Sequence, residues 1–158
     1  MLKSWMVVAV VTLLVAIGGS SLNSSEDLRW FNRLRRPQWL TFEAAIPLIW
    51  TVIFICGAWS AVVTWESDPG TIKTWVLMGF YLGLEIVTIS YTILLTKLRS
   101  LLVGTIVGAT GTVLSALLAV SVWSVSQSAA LLLIPYLLWS PIGTYTTWEM
   151  LKLNPPNR

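Results

Sequence analysis

The chain has 158 residues, 56% of them apolar and only 11% charged, with a formal net charge of +3 and no histidine. Soluble domains carry about 25% charged residues, so a soluble fold is excluded, and the missing histidines remove the commonest metal ligand and the commonest general base. Metal hydrolases and catalytic triads are thereby poor readings, no catalytic or metal-binding residue is expected, and the small positive excess gives no reason to expect nucleic acid as a partner.

Charge-free stretches set the number of spans. Residues 4–25 lie uncharged between Lys3 and Glu26, and residues 44–65 between Glu43 and Glu66. A bilayer crossing needs roughly 20 apolar residues, so each is one helix, expected at about 4–23 and 44–65. The intervening loop, 24–43, carries Trp30, Phe31, Pro37, Trp39 and Phe42 beside its arginines. That is too aromatic for a disordered linker, and it is expected to fold back over the end of the bundle. Asp68-Pro69-Gly70 signals a turn, and a third helix follows at 72–95, its stretch between Lys73 and Lys97 interrupted only by Glu85. Ser100–Trp148 is uncharged and too long for one crossing, so it divides at Ser124–Ser128 into helices at 100–123 and 129–151. The result is an all-α, five-helix membrane bundle forming one domain over 1–158, with no separate soluble unit and with short loops that make consecutive helices antiparallel neighbours.

Positive residues orient the bundle. Arg29, Arg33, Arg35 and Arg36 fall in the first loop, Lys97 and Arg99 in the third, and Lys152 and Arg158 in the tail; only Lys3 and Lys73 fall on the other side. Short loops rich in Lys and Arg stay in the cytoplasm, which predicts an outside N-terminus and a cytoplasmic C-terminus. Lys3 ahead of an apolar run ending Gly18-Gly19-Ser20-Ser21 imitates a signal peptide. Cleavage there would translocate four arginines, so the segment is read as a retained helix. The absence of an Arg- and Ser-rich transit peptide points to a bacterial cell membrane.

Ten tryptophans need sorting. Trp5, Trp65, Trp75, Trp123 and Trp148 fall at helix ends and read as interfacial anchors. Pro47, Trp50 and Phe54 share one helix face, and Trp59 faces elsewhere. Trp139 lies within the fifth helix with Pro135 and Gly143 four residues to either side. Two large aromatics beside a proline and a glycine notch suit either a pocket for a flat apolar ligand or inter-helix packing. Glu85 is costly halfway through a span, and no basic residue lies at its depth. It is expected to be protonated and to act as hydrogen-bond donor or proton acceptor. Glu149 reads as a solvated end charge, and Cys56 as a small buried residue. Gly79 and Gly83 in helix three, and Gly104, Gly108 and Gly111 in helix four, permit close helix approach. Helix three is preferred as a homodimer seam.

The runs Trp30-Phe31-Asn32-Arg33-Leu34-Arg35-Arg36-Pro37-Gln38-Trp39, Trp50-Thr51-Val52-Ile53-Phe54 and Pro135-Tyr136-Leu137-Leu138-Trp139 resemble, in order and spacing, the tryptophan-rich sensory protein/translocator protein family. The departures are Thr41-Phe42 for a Pro-Pro pair, Phe54 for Tyr, Glu85 and Thr88 for Asn and Trp, Thr146-Thr147 for Leu-Asn, and Gly143 for Ala. The resemblance implies a homodimer that binds porphyrins, haem or linear bilins as ligand, with no obligatory cofactor, and in animals cholesterol. It places Trp30, Phe31 and Trp39 in a lid and Pro47, Trp50, Phe54, Glu85, Thr88, Trp139 and Gly143 around the cavity, with the loop arginines available for propionates. A sensory or transport role in stress or pigment regulation follows from it. The alternatives are light-dependent porphyrin breakdown at Trp50 and Trp139, a structural or signalling membrane subunit, and sterol binding. With no histidine, a haem iron would have to be held by Tyr, Met or Cys56.

Overall fold

The computed structural model describes residues 3–155, so Arg158, counted above with the tail, lies outside the described residues. Helices α1 (Ser4–Ser21), α2 (Ser25–Asn32), α3 (Ile46–Ser67), α4 (Ile72–Lys97), α5 (Leu101–Trp123), α6 (Gln127–Leu131) and α7 (Ile134–Leu153) follow in order, with one 3₁₀ turn at Glu43–Ala45 ahead of α3. Five stretches are long and apolar enough to cross a membrane: Ser4–Ser21, Glu43–Ser67, Ile72–Lys97, Leu101–Trp123 and Gln127–Leu153. The protein is a five-span, all-helical membrane protein.

Local chemistry sets the boundaries. Pro47 and Pro135 sit in the first turns of α3 and α7, where a missing N–H costs nothing. Thr71, Ser100 and Ser126 cap α4, α5 and α6, each accepting a backbone N–H. Gly70, at φ 80°, turns the chain between α3 and α4, in the left-handed region that glycine enters without steric cost.

Two features depart from the sequence reading. The first loop contains α2, started by a reciprocal capping box: Asp27 N–H donates to Ser24 Oγ (3.2 Å) and Ser24 N–H to Asp27 Oδ2 (2.9 Å). The fifth span is two helices, α6 and α7, broken at Leu132 and Leu133. A further proline, Pro141, lies inside α7, where its ring removes a backbone donor.

The spans close a ring: α1 packs on α3 and α4, α4 on α5, α5 on α7, and α7 on α3. One end of the ring is basic. There Lys97 pairs with Asp27 and Arg99 with Glu26, each at 2.8 Å, while Arg35 exchanges hydrogen bonds with Asn154. The far end is solid. Leu118, Val122 and Ala129 are fully buried there beside Leu77 and Leu133. A hydroxyl node ties α3, α4 and α6 together: Ser60 Oγ donates to the Ala129 carbonyl (2.7 Å) and lies 2.5 Å from the buried Tyr81 hydroxyl, itself 3.1 Å from Thr64. With each polar group partnered, the node costs little to bury.

Glycines sort by helix. A Cβ on Gly104 would meet Leu95 Cδ1 at 2.4 Å and one on Gly108 Thr144 Oγ1 at 2.6 Å, so the α5 glycines serve packing within the chain. Gly79 and Gly83 on α4 have nothing within 4 Å of such an atom.

Candidate functional site

Below the solid end the helices splay around a cavity of about 560 Å³, within the range of small-molecule sites. All five spans line it. Ala16 and Gly19 come from α1, Pro47, Trp50 and Phe54 from α3, Thr88 and Tyr91 from α4, Gly108 and Gly111 from α5, and Tyr136, Trp139 and Gly143 from α7. The spacing that puts Pro47, Trp50 and Phe54 on one face thus aims all three inward.

Aromatic rings form the walls. Trp50 meets Tyr136 edge-on, ring centres 6.0 Å apart, and Phe54 at 6.3 Å. Phe42, which does not itself line the cavity, stands edge-on to the lining Trp139 at 6.2 Å. Such contacts fix ring planes as well as burying area. Beside the Asn23 amide, the uncharged polar lining is hydroxyls satisfied locally: Tyr136 with Thr88 at 2.6 Å, Ser140 with Thr112 behind it at 2.8 Å, and Tyr91 with Thr147. Arg36 and Glu43 are the charged lining residues and neutralise each other at 2.9 Å. Arg36 is also locked in the lid, donating to the Phe31 and Leu34 carbonyls at 2.8 Å with its guanidinium 4.6 Å above the Phe31 ring. The site therefore suits a broad, flat, mostly apolar molecule, with one fixed ion pair at the rim.

The lid is held along both edges. Trp39 stacks on Tyr145 (6.1 Å) and donates its indole N–H to Glu149, which also accepts from Tyr145. Asp27, tied to Lys97 and to Ser24, anchors the other edge. The Lys97 hydrogen bond, followed by those from Ser24, lowers its pKa from 3.8 to about 2.

Comparison with known proteins decides the family. The sequence profile described as TspO/MBR family matches residues 6–153. The chain belongs to the TspO/MBR family. A Bacillus subtilis relative named "Uncharacterized membrane protein YtaB" is 27% identical, over 81% of this chain and 82% of its own length. "Tryptophan-rich protein TspO" of Bacillus cereus is 28% identical over the same shares. "Translocator protein" of Bos taurus is 26% identical, with 100% of this chain and 96% of that protein covered. As a TspO/MBR protein with five apolar spans it is a multi-pass membrane protein, and its bacterial relatives support a bacterial cell membrane as its home.

Within this TspO/MBR fold, seven of the expected site residues face one cavity: Phe31, Pro47, Trp50, Phe54, Thr88, Trp139 and Gly143. Trp30, Trp39 and Glu85 do not. Trp30 packs with Leu34, Leu95, Leu101 and Met150 beneath the lid, because its place on α2 points it at the bundle end. Trp39 lies on the outer rim, 40% exposed, drawn there by Glu149. Glu149 is thus a latch rather than a solvated end charge. Glu85 turns toward α1, accepting from Thr12 Oγ1 at 2.7 Å. Cys56 is not among the lining residues either, which leaves Tyr91, Tyr136 and Met150 as candidate haem ligands inside the cavity. Sequence reasoning missed the walls from α1 and α5. A signal existed in α5, since Gly108 and Gly111 were noted for packing, and small residues also make room for a guest.

Proposed function

We propose that this TspO/MBR protein is a membrane receptor or carrier that binds a tetrapyrrole, porphyrin or linear bilin, in its intramembrane cavity. One observation carries the reading: a flat-walled space of about 560 Å³ flanked by Trp50 and Trp139 with Arg36 fixed at its mouth. A planar conjugated ligand gains most from aromatic faces, and a carboxylate arm reaching the cavity mouth would compete with Glu43 for the Arg36 guanidinium. The resident hydroxyls of Tyr136, Thr88 and Ser140 offer hydrogen bonds without a buried charge. The open Gly79 and Gly83 face, flanked by the exposed Val76 and Ile86, supports a second copy of the chain as partner along α4.

The test is a titration of detergent-purified protein with protoporphyrin, biliverdin and haem, read by tryptophan fluorescence. Saturable quenching at micromolar ligand is expected. Trp50→Ala and Trp139→Ala should each weaken it roughly tenfold, the equivalent of about 1.4 kcal/mol of stacking. Absence of saturable quenching by all three would favour a structural subunit whose aromatics only pack helices.

A further inference from the structure

Glu85, itself half-buried, is the one described residue with a side-chain polar atom that is both buried and unpartnered. Its Oε1 accepts from Thr12, while Oε2 is shut away from solvent with nothing to bond. Beside it lies a second, smaller chamber of about 30 Å³, walled in part by Gly57, Tyr81 and Leu84. That volume holds one or two water-sized groups. The chamber shares Phe54, Thr88 and Tyr136 with the main cavity, so the partition between the two is the hydroxyl pair Tyr136–Thr88.

The protons on that partition can be assigned. Thr88 donates its only hydroxyl hydrogen to the Leu84 carbonyl at 2.7 Å, so in the 2.6 Å contact with Tyr136 it must accept. Tyr136 is therefore the donor, and its oxygen keeps free acceptor capacity. Around the carboxyl, α1 presents Thr12, α3 presents Ile53, Phe54 and Gly57, and α7 presents Tyr136. Besides Glu85, the titratable groups there are Tyr81 and Tyr136. No cation stands among them, and a lone charge inside a membrane is costly.

We propose that Glu85 and its chamber form a proton-exchange subsite for a ligand in the main cavity that carries an imine-type nitrogen, a reading that rests on the tetrapyrrole assignment above. The acid O–H at Oε2 gives its proton to a water in the chamber, which gives one to the Tyr136 oxygen. The Tyr136 hydroxyl then swings from Thr88 and gives its own proton to the nitrogen lone pair. The balance is one carboxylate and one protonated nitrogen, a pair neutral overall that neither member could join alone. Release runs the same transfers backwards.

Biliverdin is the probe. In the wild type its bound visible spectrum should be that of the protonated pigment, and the infrared C=O band of the Glu85 acid should vanish on binding. Glu85→Gln retains an acceptor for Thr12 and should bind pigment in its neutral form. Gly57→Val, whose added atoms enter the chamber where a Cβ meets nothing within 4 Å, should also leave the bound pigment neutral. Saturable quenching with an unchanged carboxyl band, or a protonated pigment in Glu85→Gln, overturns the subsite and leaves the tetrapyrrole reading standing. Loss of all quenching overturns that reading first, and this one with it.

Discussion

At the scale of single residues, packing separates glycines that look alike in sequence. Gly104 abuts Leu95, which is fully buried and has nowhere to retreat; even its Cβ would lie 3.3 Å from a new methyl. Gly104→Val should lower stability by about 1–3 kcal/mol, as overpacked cores do. Gly18→Ala, on α1, meets open space and should be neutral or slightly stabilising, since alanine favours helix. Thermal unfolding of both variants in the same detergent checks the contrast. Asp27 gives a pH prediction of definite sign. Its folded pKa is held down to about 2 against 3.8 unperturbed, so its contribution is complete above the unperturbed value and fades as acid is added between the two. Asp27→Asn should flatten the melting temperature over that window, and an unchanged slope would mean that the Lys97 pair adds nothing.

Among elements, the lid has the most to lose. Asn154 joins it to α7 through two hydrogen bonds, accepting from Arg35 N–H at 3.0 Å and donating to Arg35 carbonyl at 3.1 Å. At about 1 kcal/mol each, their removal in Asn154→Ala should raise the open population of the lid by roughly an order of magnitude or more. Trypsin cleavage at Arg33 and Arg35 would accelerate accordingly while the spans stay intact. Legibility in the sequence follows what each element depends on. The five spans were plain because lipid forbids charge along whole segments. Helix α2 was not, being short and arginine-bearing, although Ser24 followed three residues later by Asp27 is a capping signature that marks its start. The break before α7 hid in an unbroken apolar run, with only Pro135 to announce a new first turn. Cavity residues on α3 were legible from spacing. The direction of Glu85 was not, since its rotation toward Thr12 depends on where α1 sits, and nothing local to either residue records that.

For the whole molecule, charge and architecture agree. Ion pairs Asp27–Lys97, Glu26–Arg99 and Arg36–Glu43 gather at the lid end. Opposite, Lys73 reaches Ser124 and Ser4 reaches Glu66. The charge rule predicts a cytoplasmic lid end. In a Cys56→Ala background, Ser124→Cys should react with an impermeant thiol reagent on intact cells, and Asn154→Cys only after lysis. The reverse labelling would invert the topology.

The plug of α6 and the Ser60–Tyr81–Thr64 node also bear on traffic. They make the interior a cup rather than a tunnel: what goes in past the arginine rim finds no exit beneath it. If the cavity holds a guest as proposed, that guest would have to back out the way it came or slip sideways between neighbouring rods into the lipid, and vectorial passage from one face to the other would require dismantling the base.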